Sequence, residues 1–133
     1  MRVGLWIWGD QVVYDAFMTT TTIRALAWLI FLFIAMATLS PIGLRPQSSM
    51  PADVERAAAF LVCGVLFALA YPRQLWLAVA VVVVGVFGLE WLQTLRPGRH
   101  GREADALVKL AGAVIGLGLG WLLAQLAPLR RQQ

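Results

Sequence analysis

The chain has 133 residues, room for one domain, and 60% of them are hydrophobic against 14% charged, where an ordinary soluble domain carries roughly 25% charged residues. Leu75–Leu89 and Leu110–Leu129 contain no ionisable side chain at all. A helix needs about 20 predominantly apolar residues to cross the hydrocarbon core of a bilayer, so the composition predicts an all-α integral membrane protein. The net charge of +4 comes without a long Lys/Arg run or a basic strand interleaved with aromatics, which excludes nucleic acid as a partner.

Residues 1–22 carry Trp6, Trp8, Tyr14 and Phe17, then four threonines. Such aromatics suit the membrane interface, and without a 3.6-residue period the stretch reads as an interfacial or loosely ordered tail. Met18 followed by Thr-Thr-Thr-Thr-Ile-Arg also reads as an alternative start, which would make residues 1–17 an extension. The membrane domain then occupies 23–133. Its first span is Ile23–Leu39, ended at Ser40-Pro41, where proline removes a donor and pushes the preceding residue out of the α region. A cleavable signal peptide ending at Ala35-Met36-Ala37 is the alternative reading of this segment.

A proline-rich loop leads to a second, short span that starts near Asp53, placed to cap a helix N-terminus, and stops at Pro72. Its Glu55 and Arg56 belong at the interface, where long side chains can reach water. The connection Tyr71-Pro72-Arg73-Gln74 is tight, so spans two and three are expected to be antiparallel neighbours. The third span, Leu75 to about Leu95, contains a valine run, but a lone strand cannot satisfy its backbone in lipid. The fourth runs from about Ala106 to Ala127. The expected architecture is therefore four transmembrane helices in an antiparallel bundle with both termini on one side. Arginines divide evenly between the two sides, so the positive-inside bias does not orient the chain.

Polar residues concentrate around the loop joining spans three and four. Glu90 follows Leu75–Leu89 without a break, and a carboxylate at that depth costs a few kcal/mol unless it is paired, protonated or hydrated. Gln93 lies one turn further along, with Arg96 near the helix end and Arg99 in the loop. On the fourth span, Asp105, Lys109, Gly112, Gly116 and Gly120 fall on one face. Gly112-x-x-x-Gly116-x-x-x-Gly120 permits close helix packing, with the third span as the expected partner, which would bring Lys109 to Glu90. The same glycines are where a homodimer would form. Arg56, Glu90, Gln93, Arg96, Arg99, Asp105 and Lys109 thus make up a candidate head-group site, because arginine suits bidentate recognition of phosphate or carboxylate. A purely structural Glu90–Lys109 link between helices is the plainer alternative. Cys63 and His100, single and far apart, provide neither a disulfide nor a metal site, no cofactor is implied, and no catalytic motif is present.

Two blocks of these residues resemble the VanZ-like family of small membrane proteins, named for a member associated with glycopeptide (teicoplanin) resistance. Glu90-x-x-Gln93-x-x-x-Pro97-Gly98-Arg99, then Asp105, Gly112 and Gly116, is similar to the family's C-terminal signature. Asp53-x-Glu55-Arg56 before an Ala/Phe-rich helix is similar to its earlier block. Lys109 stands where the family commonly has Asn, and the histidine expected after the first block's acid is missing. The resemblance implies four transmembrane helices in the bacterial inner membrane, cytoplasmic termini and an outward-facing polar cluster. The first functional reading is binding of an anionic lipid or cell-wall precursor head group. A membrane-embedded enzyme acting on a lipid-linked phosphate or glycan, with Glu90 as general base, is the second. A small proton-coupled exporter using Glu90 is the third.

Overall fold

In the computed structural model the described backbone comprises residues 3–41, 43, 49–95 and 103–130, with side chains described from 19 onward up to 126, apart from 103. Four α-helices follow one another: α1 (Val3–Leu39), α2 (Ala52–Ala70), α3 (Leu75–Thr94) and α4 (Glu103–Arg130). Three of them contain stretches long and apolar enough to cross a membrane: Thr19–Leu39 in α1, Leu75–Thr94 in α3 and Ala104–Leu126 in α4. Their outward faces are apolar, with Met36, Trp76 and Val84 each 70% exposed. Such a surface is an aggregation liability in water and an ordinary one in lipid, so the chain is a membrane protein.

α1 differs from the sequence expectation. Residues 3–22 are helical and continuous with the first span, so they are not a loosely ordered tail. At 37 residues the helix is about 55 Å long, against about 30 Å of hydrocarbon, and its N-terminal part must project beyond the membrane core. The four threonines, β-branched and poor helix formers, do not interrupt it. α2 is the short member. Asp53 and Glu55 occupy its first turn, and the apolar run from Ala57 to Ala70 covers only about 20 Å. α2 ends where Pro72 cannot continue it; Tyr71 N–H donates to Phe67 O at 3.0 Å and Gln74 N–H to Tyr71 O at 3.0 Å, closing the turn into α3.

The closest packing in the protein is between α2 and α4, and glycine makes it possible. A Cβ placed on Gly112 would strike Ala57 O, one on Gly116 would strike Leu61 O, and one on Gly120 would lie 2.6 Å from Val65 O. The facing helix returns the arrangement, since a Cβ on Gly64 would lie 2.6 Å from Ala113 O. Both helices advance by one turn together from contact to contact, so α2 and α4 run parallel and in fixed register. The seam therefore meets α2, not α3 as the sequence led us to expect. The contacts are to the backbone of α2 at Ala57, Leu61 and Val65, with Gly64 returning the close approach to Ala113. Gly112, Gly116 and Gly120 thus pack against α2 of the same chain.

α1 and α3 complete the core around this pair. Ala27 and Ile34 of α1 and Ala78, Val82, Val86 and Leu89 of α3 are buried with Phe60, Cys63 and Phe67 of α2. The Phe31 ring lies over Gly85 of α3, where a Cβ would collide with it. Trp28 and Phe31 make edge contacts with Phe67 at centroid separations of 5.3 and 6.1 Å. Such pairs contribute about 0.5–1.5 kcal/mol beyond area burial and fix α1 against α2.

Gly116→Val should break the backbone contact with Leu61 and lower the thermal midpoint of the detergent-solubilised protein by an amount matching about 3 kcal/mol or more. Gly118→Val, two residues away with nothing within 4 Å of its added Cβ, should stay within about 0.5 kcal/mol of the parent. Equal losses for the two variants would contradict the seam.

Candidate functional site

The first turns of α2 and α4 and the last turns of α1 and α3 come together at one end of the helices, where Asp53, Arg56, Glu90, Asp105 and Lys109 gather. The parallel register of α2 and α4 is what aligns them. Gly112 opposite Ala57 puts Arg56 beside the start of α4, within reach of Asp105. Arg56 Nη1 lies 2.7 Å from Asp105 Oδ1 and 3.2 Å from Asp53 Oδ1. Lys109 Nζ lies 3.1 Å from Asp105 Oδ2 and 2.7 Å from Glu90 Oε2. Asp53, Arg56, Asp105, Lys109 and Glu90 thus form an alternating file of charges crossing from α2 through α4 to α3.

Burial deepens along the file. The Asp53 side chain is 73% exposed and Arg56 29%, while Asp105 is 11%, Glu90 13% and Lys109 2%. The outer Asp53–Arg56 pair is worth little, about 0.5 kcal/mol, as exposed i,i+3 pairs are. The inner part is different. An isolated charge away from water would change protonation state or draw in solvent, and here each buried charge has an opposite neighbour. Lys109 donates a hydrogen bond to Glu90. The Arg56–Asp105 contact has ion-pair distance, yet no N–H is aligned on Asp105 Oδ1, which along with Glu90 Oε1 is buried without a hydrogen-bond partner. That attraction is Coulombic rather than directional, and two acceptor positions in the cluster are left over.

A cavity of about 180 Å³ adjoins the cluster, with Phe33, Ile34 and Ala37 of α1 and Ala59 and Phe60 of α2 as its apolar wall and Thr38, Glu55, Arg56 and Lys109 as its polar end. Arg56 uses Nη1 for both of its acids, leaving the Nη2 and Nε hydrogens without a partner among the described residues. Lys109 also borders the cavity, but its charge is divided between two carboxylates. Arg56 is therefore the cation with donors to offer a ligand.

Of the candidate residues, Arg56, Glu90, Asp105 and Lys109 meet directly. Gln93 is buried and donates through Nε2 to Thr38 O at 3.5 Å, a long bond that ties the end of α3 to the end of α1; it supports the cluster from behind. Arg96 and Arg99 lie outside the described residues, as does His100. Gly112, Gly116 and Gly120 hold the register that forms the site. Sequence reasoning missed the contribution of α1: Phe33 and Thr38 line the cavity, and their only signal was proximity to the helix stop at Pro41. No group of three or more potential metal-ligating side chains occurs among the described residues. No protein-family model matches the chain, and no significant similarity to a curated protein or to a solved structure was found.

Lys109→Met should leave Glu90 and Asp105 buried without their shared cation and cost about 3–5 kcal/mol, the usual price of breaking a buried ion pair from one side. Adding Glu90→Gln should restore part of that loss, and a double-mutant cycle in detergent measures the coupling. Additive effects would mean that the two residues do not share a buried contact.

Proposed function

We propose that this chain is a VanZ-like integral membrane protein of the bacterial cell envelope that binds an amphiphile with an anionic head group, a membrane lipid or a lipid-linked cell-wall precursor. In this reading all four helices span the inner membrane as an antiparallel bundle with cytoplasmic termini. α2, short and charged in its first turn, is carried across by its contact with α4. The Glu90–Lys109 end then faces outward. Arg96 and Arg99, which lie outside the described residues, would add further head-group contacts in this reading.

The observation that carries the reading is the cavity itself, apolar along one wall and polar at its end. That distribution matches a lipid, whose acyl chain would lie against Phe33, Ile34 and Phe60 while its phosphate or carboxylate meets Arg56. Arginine is suited to the task because its planar fork keeps parallel donors after two are committed. Asp53 and Asp105 hold the guanidinium in place through Nη1. The resemblance extends the reading to teicoplanin resistance, for which the susceptibility of a host carrying the chain is the measurement.

Native mass spectrometry of the full chain released from bacterial membranes tests the site. Arg56→Gln should reduce the occupancy of anionic lipid about tenfold, as expected for loss of a charge-assisted contact of 1.5 kcal/mol or so. Phe60→Trp, which narrows the cavity, should reduce occupancy whatever the head group. Undiminished lipid in both variants would remove the proposal.

A further inference from the structure

A second cleft lies at the opposite end of the helices. It has a volume of about 600 Å³ and is lined by Thr20 and Arg24 of α1 and by residues 70–74, the end of α2 and its turn into α3. Arg24 is fixed from behind: Nε donates to Ala70 O at 3.2 Å, and the guanidinium carbon sits 5.0 Å from the centre of the Tyr71 ring. Tyr71 is in turn held by Trp28, whose Nε1–H donates to its hydroxyl at 3.1 Å. These contacts satisfy the last carbonyl of α2 and leave the four Nη hydrogens of Arg24 unused among the described residues. Arg73 is exposed on the turn beside it.

Among the described residues, no acid opposes the charge of this cleft. No acidic side chain lines it, and the acids with described side chains, Asp53, Glu55, Glu90 and Asp105, belong to the other end of the helices. In the first site every cation has a carboxylate within ion-pair distance; here neither arginine has one among the described residues. Tyr71, at the turn between α2 and α3, is an amphipathic aromatic of the kind found where helices meet lipid head groups.

We propose that this cleft binds a phosphate-bearing ligand on the membrane face opposite the Glu90–Lys109 cluster, through Arg24 and Arg73. Arg24, already oriented, supplies a planar pair of donors, and Arg73 closes over the phosphate from the turn. The phosphate can be that of an anionic phospholipid or a soluble one, and the two sources are separable. The site is independent of the lipid cavity proposed above, since the two share no residue.

The full chain, purified in detergent, is titrated with phosphatidylglycerol, with phosphatidylcholine, and with inorganic phosphate competing against phosphatidylglycerol, and bound species are counted by native mass spectrometry. Preference for phosphatidylglycerol over phosphatidylcholine is expected, falling about fivefold for Arg73→Gln and further for Arg24→Gln with Arg73→Gln, in line with the contribution of one basic residue at a membrane surface. The loss caused by Arg73→Gln should persist when Arg56→Gln has already emptied the first site, which separates the two. Loss of bound phosphatidylglycerol to millimolar inorganic phosphate identifies a soluble phosphate as the ligand; resistance to it identifies the lipid. Arg73 is exposed, so its single variant remains informative if the double variant unfolds. An unchanged preference in Arg73→Gln, or equal binding of the two lipids by the parent, overturns the proposal.

Discussion

The backbone contact between α2 and α4 is the constraint from which the rest of the structure follows. Lipid tails are as apolar as leucine, so helices gain little from hiding side chains from each other in a membrane, and close packing must supply the attraction. Three glycines spaced one turn apart on α4 let the carbonyls of Ala57, Leu61 and Val65 occupy the space of missing side chains. Because several contacts repeat at one-turn intervals, a slip of one residue would drive α2 into a side chain. Register is consequently fixed, and everything polar above the seam inherits its position from it.

That inheritance explains why the charge file tolerates its depth. Lys109 is more buried than the carboxylates on either side of it, an arrangement that is expensive to form and more expensive to break from one side. The file links α2, α4 and α3, while Gln93 and Thr38 link α3 to α1. The same residues that make the proposed head-group site thus hold its walls at a fixed spacing. The Glu90–Lys109 pair is at once the structural link between helices and the inner support of Arg56, so the structural and functional readings of these residues are not exclusive.

The two ends of the helices differ in kind. At one end, Asp53, Arg56, Asp105, Lys109 and Glu90 alternate in charge, and the donors left at the adjoining cavity belong to Arg56. At the other, Arg24 and Arg73 have no acid beside them among the described residues, one braced by Tyr71 and the other exposed on a turn. An anion would be held at the first end by a braced fork beside an apolar cavity, and at the second by accumulated positive potential.

The sequence by itself determined the membrane character, the four helices and the face on which Asp105, Lys109 and the glycines lie, because hydropathy and the 3.6-residue period are local properties of the chain. It also indicated that Glu90 needed a partner, since an unbroken apolar run before a carboxylate makes its depth plain. It could not say which helix fills the glycine seam: a G-x-x-x-G spacing specifies how closely a neighbour can approach, not which neighbour arrives. It pointed to a break near residue 22 because threonines and a missing period weaken the local helical signal, whereas the helix runs through from Val3. Tertiary structure alone decided that α2 lies parallel to α4, that Asp105 is shared between Arg56 and Lys109, and that α1 contributes Thr38 and Phe33 to the cavity. Each of these depends on how residues far apart in the chain fit together, and that is set by the volumes and shapes of facing helices.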